Sequence, residues 1–130
     1  MKRIIGISIF ILFGTIVISV SGQVLLAEDP TLISPQLYTV RFENDQVRVL
    51  EYHIQPGEKN PMHSHPARVI YHLSDGAVRQ TLPNGTISEG VFTKGFVQWA
   101  DAMTHATENI GATETHALAI EIRGIHEEEH

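Results

Sequence analysis

The chain has 130 residues, of which 42% are hydrophobic and none is cysteine, and its formal net charge is −6. Without cysteine the protein has no disulfides and no thiolate metal ligands, so its stability must come from a hydrophobic core. The acidic balance argues against nucleic acid and anionic membrane surfaces as partners, which leaves a small molecule, a metal ion or another protein.

The first 27 residues have the pattern of a secretory signal peptide. Lys2 and Arg3 precede an apolar run at residues 4–20, and Gly22 or Ala27 offers a small residue for cleavage. The run is also close to the minimum length that spans a bilayer, so an uncleaved membrane anchor at residues 4–20 is the alternative. Both interpretations place the remaining domain outside the membrane and outside the cytoplasm, in the periplasm or secreted.

Residues 37–124 are expected to form one all-β domain. Segments rich in β-branched and aromatic residues alternate with Gly, Pro, Asn and Asp about every ten residues, a pattern typical of a sandwich or barrel. Asp75-Gly76 predicts a hairpin turn and Pro83-Asn84-Gly85 a second tight turn, while residues 125–130 are expected to be a flexible acidic tail. The expected strands are 37–42, 47–54, 69–73, 77–82, 86–92, 96–100, 105–110 and 115–123.

His63 and His65 are the most informative pair in the chain. Side chains two residues apart on a strand share a face, so the two imidazoles point toward one place. Imidazole is the commonest protein ligand of metal ions, and the pair would supply half of a mononuclear site. A His-x-His sequence also occurs by chance on surfaces and in cores, so the interpretation needs a third ligand from elsewhere in the chain.

The sequence around these histidines resembles the cupin family. Gly57, His63, His65 and Gly76 match the first cupin motif, and Gly95, His105 and Asn109 match the second. The resemblance covers nearly all of residues 37–123. It implies a jelly-roll barrel, or double-stranded β-helix, with His63, His65 and His105 as ligands of a divalent transition metal ion, either Fe, Mn, Ni, Cu or Zn.

The chain departs from the family pattern in both motifs. The glutamate of the first motif would fall at Val69 or Ile70, and the proline and glycine of the second at Ala100 and Ala102. Some cupin oxygenases use three histidines without the glutamate, so the departure leaves catalysis open. The loss of an anionic ligand makes the metal complex more positive, which favours anionic substrates that chelate the ion.

A pocket around the ion can be predicted from the same strands. Its candidate residues are Met62, Arg68, Tyr71, Gln80, Phe96, Gln98, Trp99 and Met103. Ordinary packing of the barrel interior is the expected role for most of them, with the pocket as the alternative. For Arg68 we expect a solvated position on the rim, and contact with a substrate carboxylate is the alternative.

The remaining histidines are expected to stay outside the site. Tyr71 and His72 are neighbours on one strand, so only one can face the interior, and we expect that residue to be Tyr71. Solvent exposure is expected for His53, and a surface position for His116, as for the two histidines of the tail.

Two functions are compatible with these residues. One is a metal-dependent enzyme, a non-haem iron dioxygenase or a related lyase or isomerase; the other is a non-catalytic module that binds a small molecule or metal. A structural protein with a vestigial site is a third reading. No separate general base is recognisable in the sequence. The family resemblance also implies a homodimer, with the strand at residues 37–42 as a candidate for exchange between subunits.

Overall fold

The structure, a computed structural model, describes residues 28–124. The predicted signal peptide or anchor at residues 1–27 and the predicted tail at residues 125–130 lie outside the described residues. Within the described range, no helix has both the length and the apolar character needed to cross a bilayer.

One short helix and nine strands make up the regular structure of residues 28–124. The elements are α1 (Pro30–Ile33), β1 (Tyr38–Glu43), β2 (Val47–Ile54), β3 (Lys59–His65), β4 (Arg68–His72), β5 (Gly76–Thr81), β6 (Ile87–Phe92), β7 (Val97–Ala100), β8 (Met103–Asn109) and β9 (Thr115–Ile122). The all-β prediction is confirmed, and the predicted strands agree with these bounds to within two residues. The strand β3, which carries the His-x-His pair, adds one to the eight strands predicted.

The helix α1 was not predicted. Its first turn is capped by Asp29, whose carboxylate accepts the backbone N–H of Thr31 at 2.9 Å. Pro30 stands at the start of the helix, where its missing N–H costs nothing because that group has no partner within a helix.

The strands form two antiparallel sheets. The larger sheet has the order β1-β2-β9-β4-β7 and the smaller one the order β3-β8-β5-β6, and residues of both sheets line one cavity between them. On β9, at the centre of the larger sheet, every second residue from Thr115 to Glu121 is buried and the others are half-buried. The inner face of β9 therefore presents Ala117 and Ala119, whose small side chains leave room for the cavity.

The interior of the protein is more polar than apolar. The buried hydrophobic residues of the described range are Leu37, Leu50, Ile54, Ile70, Ala117 and Ala119, whereas eleven polar or charged residues are buried. Burial of polar groups is tolerated only when they find partners, so the interior has to be organised as a hydrogen-bonded site rather than as a simple core.

The turn at Asp75-Gly76 does not form the predicted hairpin. It connects β4 to β5, and these two strands belong to different sheets. A hydrogen bond to another turn stabilises this connection. The Asp75 carboxylate accepts the backbone N–H of Lys94 at 2.8 Å. The second predicted turn does join the hairpin of β5 and β6, with Gly85 at a φ of 86° that favours glycine.

Asn109 at the end of β8 ties several turns together. Its amide Nδ2 donates to the carbonyls of Ile54 at 2.8 Å and Thr113 at 2.9 Å, and its Oδ1 accepts the N–H of Gly111 at 2.9 Å. Its own carbonyl accepts the N–H of Gly57 at 2.8 Å. Gly57 and Asn109, which match the two cupin motifs, therefore connect the chain near the site without contributing ligands to it.

We predict that Asn109→Ala lowers the free energy of unfolding by about 1–3 kcal/mol, because buried backbone groups lose their partners. Urea denaturation followed by circular dichroism measures the change. Asn84→Ala is the matched control, since Asn84 is exposed and makes one such bond, to the N–H of Thr86 at 3.0 Å. An equal loss in the two variants would contradict the prediction.

Candidate metal centre

Three imidazoles converge on the inner face of the smaller sheet. The strand β3 places His63 and His65 on one face, and β8 places His105 directly opposite His63. All three residues are buried, with exposures of 1%, 7% and 5%. Their ring centroids are 4.6 Å (His63–His65), 4.7 Å (His63–His105) and 5.5 Å (His65–His105) apart. The structure thus brings the three predicted ligands together, with one nitrogen of each within 4.8 Å of the others.

The bulge in β3 helps to aim these rings. The register between β3 and β8 shifts between Asn60 and His63, where Pro61 has no N–H to donate to the neighbouring strand. The freed carbonyl of Pro61 turns to the ring of His63 and lies 2.7 Å from its Nδ1 atom.

Each ring has its Nδ1 atom against an oxygen that can only accept a hydrogen bond. The three contacts are His63 Nδ1 to the Pro61 carbonyl (2.7 Å), His65 Nδ1 to the Glu121 carboxylate (3.1 Å) and His105 Nδ1 to the Gln80 Oε1 (2.8 Å). The proton of each neutral ring therefore sits on Nδ1 and the free lone pair on Nε2. Partners of this kind orient the histidines of metal sites.

Two of the free lone pairs face each other. The Nε2 atoms of His63 and His65 are 2.9 Å apart, and with both protons on Nδ1 no hydrogen lies between them. Two such lone pairs repel, whereas a metal ion bonded to both, at about 2.0–2.1 Å from each nitrogen, turns the repulsion into coordination. The residues present therefore fit a transition metal ion held through nitrogen.

Burial keeps the three rings neutral. It lowers the pKa of His63 to about 4 and the pKa of His105 to about 2. It also lowers the pKa of His65, although the contact with Glu121 acts in the opposite direction. At neutral pH each ring is therefore uncharged, and its Nε2 is available to a metal ion without prior loss of a proton.

A buried chain of charges holds His65 in place. Glu121 on β9 is 1% exposed, and one of its oxygens contacts His65 while the other accepts from Arg48 at 2.6 Å. Arg48 in turn pairs with Asp29 at 2.5 Å. Each buried charge has two partners, which is the condition under which buried charges are tolerated. Glu121 was not predicted as a site residue, and the alternation of small and large residues along β9, which puts Glu121 on the same face as Ala117 and Ala119, was the signal that could have found it.

The triad opens onto a cavity of about 100 Å³ between the two sheets. Apart from the site residues, its wall includes Tyr38, Tyr52, Ile54, Val78, Phe92 and Ala119. Ile70 also lines it, at one of the two positions expected for the motif glutamate. The donor set around the three histidines therefore contains no carboxylate at that place.

Arg68 on β4 lines the same cavity and is 4% exposed, so the expected solvated position on the rim is wrong. Its Nη1 atom has no hydrogen-bond partner among residues 28–124, and its Nη2 reaches only the sulfur of Met103, at 3.8 Å. Desolvation lowers the pKa of Arg68, but a guanidinium stays charged in proteins. The cavity therefore contains a cation with unused donors.

His72, and not Tyr71, faces the interior. Buried and exposed residues alternate along β4, and Tyr71 lies on the outer face with 39% exposure. The expectation was wrong because alternation along one strand cannot tell which of its two faces is inner. Both ring nitrogens of His72 lack a partner among the described residues. Its ring stacks on Phe92 at 4.3 Å, and burial lowers its pKa.

Both predicted glutamines line the cavity. Gln80 accepts from His105, which gives the buried amide oxygen a partner. Gln98 lies near His72 and acts on its pKa in the opposite direction to burial, yet the two side chains do not reach hydrogen-bond geometry.

The other predicted pocket residues lie outside the cavity wall. Trp99 and Phe96 are 58% and 47% exposed, and the indole N–H of Trp99 donates to Asp101 at 2.9 Å. Met62 and Met103 are half-buried and do not line the cavity, although the sulfur of Met103 lies 3.8 Å from the Nη2 atom of Arg68.

Comparison with known proteins agrees with this architecture. No family model and no curated protein matches the chain. Among solved structures, a cupin domain from Bordetella pertussis Tohama I is 26% identical, with a TM-score of 0.63 over 68% of this chain and 93% of that chain.

Two further solved structures show the same fold. An uncharacterized conserved protein with a double-stranded β-helix domain from Klebsiella pneumoniae is 21% identical, with a TM-score of 0.55 over 68% of this chain and 77% of that chain. A cupin superfamily protein from Desulfitobacterium hafniense DCB-2 is 15% identical, with a TM-score of 0.52 over the same shares. The chain is therefore a cupin by fold, a double-stranded β-helix with three histidines gathered at its inner face.

Proposed function

We propose that this protein binds a divalent transition metal ion through the Nε2 atoms of His63, His65 and His105. The facing lone pairs of His63 and His65, 2.9 Å apart, are the observation that supports the proposal most directly. Imidazole donors suit Fe, Mn, Ni, Cu or Zn ions, whereas Ca²⁺ and Mg²⁺ prefer oxygen ligands. Three protein ligands leave coordination positions for a small molecule.

We further propose that the small molecule is a compact carboxylate or a similar anion. Arg68 offers unused guanidinium donors to the cavity, and guanidinium groups bind carboxylates through paired, charge-assisted hydrogen bonds. The absence of a carboxylate ligand at Ile70 leaves the metal complex more positive, which favours the same kind of ligand. A cavity of about 100 Å³ restricts it to a few non-hydrogen atoms. A bound metal ion would act there as a Lewis acid that polarises the ligand.

Catalysis is the second candidate function, and His72 is the observation that favours it. Its imidazole lines the cavity, does not belong to the triad, and has both nitrogens free of partners among the described residues. A neutral imidazole in this place can accept a proton from a substrate that Arg68 holds. With such chemistry the protein would be a metal-dependent dioxygenase or a related lyase or isomerase; without it, a non-catalytic binding module.

The extracytoplasmic location and the homodimer stay predictions. An apolar row on the outer face of the larger sheet supports the homodimer, with Phe42, Val49, Ile120, Val69 and Trp99 in register across its five strands. Phe42 and Trp99 at the two ends are 54% and 58% exposed. Exposed apolar faces commonly mark interfaces, and a copy related by a twofold axis can cover such a face with its own.

We predict that His105→Ala lowers the metal content of the purified protein by one ion per chain, because two imidazoles hold an ion far less tightly than three. Elemental analysis after exhaustive dialysis measures the content.

Gln80→Leu should keep the ligands but weaken metal affinity by about 10–100-fold, since His105 loses the acceptor that orients it. Gln98→Leu, which alters the same cavity without touching a ligand, is the matched control. Equal metal content in the parent and His105→Ala would overturn the proposal.

We predict that Arg68→Met leaves the metal content unchanged and weakens the binding of small carboxylates by about 10–100-fold, the equivalent of about 1.5–3 kcal/mol for a charge-assisted bond. Calorimetric titration of the metal-loaded protein with formate, acetate and glycolate measures the affinity. Arg79→Met removes an exposed arginine of β5 that pairs with Glu89, and it should bind like the parent. Unchanged carboxylate affinity in Arg68→Met would refute the anion site.

We predict that, if the protein is an enzyme, His72→Gln reduces turnover by about 10²–10⁴-fold and keeps the metal content, as expected for loss of a general base. The iron-loaded protein is tested with diketones, catechols and thiols by oxygen uptake, and by substrate loss under nitrogen. Turnover that His72→Gln leaves intact would exclude His72 from the reaction. Absence of turnover with bound metal would favour the binding module.

A further inference from the structure

A second histidine cluster lies on the outer face of the larger sheet, away from the triad. His53 on β2 and His116 on β9 are direct cross-strand partners, and Glu51 precedes His53 by two residues on the same face. His116 is half-buried, whereas the next residue, Ala117, is buried and faces the interior. The sheet itself therefore separates this cluster from the cavity. Both histidines were predicted to lie on the surface, and no role was predicted for either.

The two rings are arranged so that their nitrogens meet one oxygen. They stack with centroids 4.0 Å apart and an angle of 17° between their planes. The Nε2 atoms of His53 and His116 lie 3.1 Å and 3.0 Å from the same atom, Oε1 of Glu51. Donor atoms about 3 Å apart are at the separation of neighbouring ligands around an ion with bonds of about 2.0–2.2 Å.

Neighbouring side chains hold these donors in position. The Nδ1 atom of His53 lies 2.6 Å from a carboxylate oxygen of Glu114, which can only accept, so this contact leaves Nε2 of a neutral ring free. Arg41 donates to the second oxygen of Glu51 at 2.6 Å, which leaves Oε1 for another partner. Gln55 donates to the other oxygen of Glu114. A carboxylate behind a histidine is the usual support of a metal ligand.

The charge of the cluster suits a cation. Glu51 and Glu114 bring two carboxylates to the cluster, whereas the guanidinium of Arg41 is the one arginine or lysine group of the described residues that pairs with either of them. A divalent ion bound to Glu51, His53 and His116 would offset the remaining negative charge.

We propose that Glu51, His53 and His116 form a second, surface site for a divalent ion such as Zn²⁺. Two imidazoles and one carboxylate are a donor set that Zn²⁺ accepts in proteins, with a fourth position for water or an outside ligand. The side chains of His53, His116 and Glu51 are 45%, 29% and 17% exposed, so solvent reaches the ion directly. The site goes beyond the proposed function, because it shares no residue with the triad or the cavity.

The test is calorimetric titration of the untagged full chain with Zn²⁺ at neutral pH. The parent should bind two ions, and His53→Asn and His116→Asn should each bind one. In the background His63→Ala/His105→Ala, which removes the inner triad, one ion should remain, and the further change His53→Asn should remove it. Glu114→Gln should weaken this ion by about 10–100-fold, since His53 loses its supporting carboxylate.

Two controls separate the cluster from other sources of binding. His126→Gln/His130→Gln removes the histidines of the tail, and Glu89→Gln removes an exposed carboxylate from the other sheet; both should leave the number of bound ions unchanged. If His53→Asn and His116→Asn bind as many ions as the parent, or if the tail variant loses the second ion, the proposal is overturned. Loss of an ion in the triad variant alone would support the inner site and refute the outer one.

Discussion

The interior site depends on one constraint, the convergence of three neutral imidazoles inside a small β-barrel. Burial keeps the rings uncharged, and each Nδ1 atom lies against an oxygen that can only accept, which leaves Nε2 of every ring with a free lone pair. A pair of nitrogens 2.9 Å apart with no proton between them is unfavourable by itself. Glu121, itself paired with Arg48, and Gln80 hold two of these rings in place.

The two buried charged residues Glu121 and Arg68 differ in whether their charge has a partner within the protein. Glu121 is buried but has both Arg48 and His65 as partners, so its charge is compensated within the protein and serves to orient a ring. Arg68 is equally buried and keeps donors without a partner among the described residues. An unpaired buried cation is costly to a protein that gains nothing from it. This contrast is the physical reason to look for an anionic ligand between Arg68 and the histidines.

The strand β9 serves two surfaces at once. Its inward residues, Ala117, Ala119 and Glu121, provide the space and the supporting carboxylate of the interior site. Its outward residues include His116, which completes the outer cluster, and Ile120, which belongs to the apolar row of the outer face. A shift of register by one residue would exchange the inward and outward residues of β9. The alternation of small and large residues along β9 therefore favours the register on which both sites depend.

From the amino-acid sequence we could predict the all-β class, eight of the nine strands and the shared face of His63 and His65, because a period of two residues and the His-x-His spacing are local properties of the chain. The third ligand, His105, was predicted only from the resemblance to the cupin motifs. Tertiary structure decided which face of each strand became the inside. It placed His72 rather than Tyr71 in the cavity, buried Arg68, and brought Glu121 to His65 from 56 residues away. Such choices depend on pairings between strands far apart in the chain, and no local pattern can encode them.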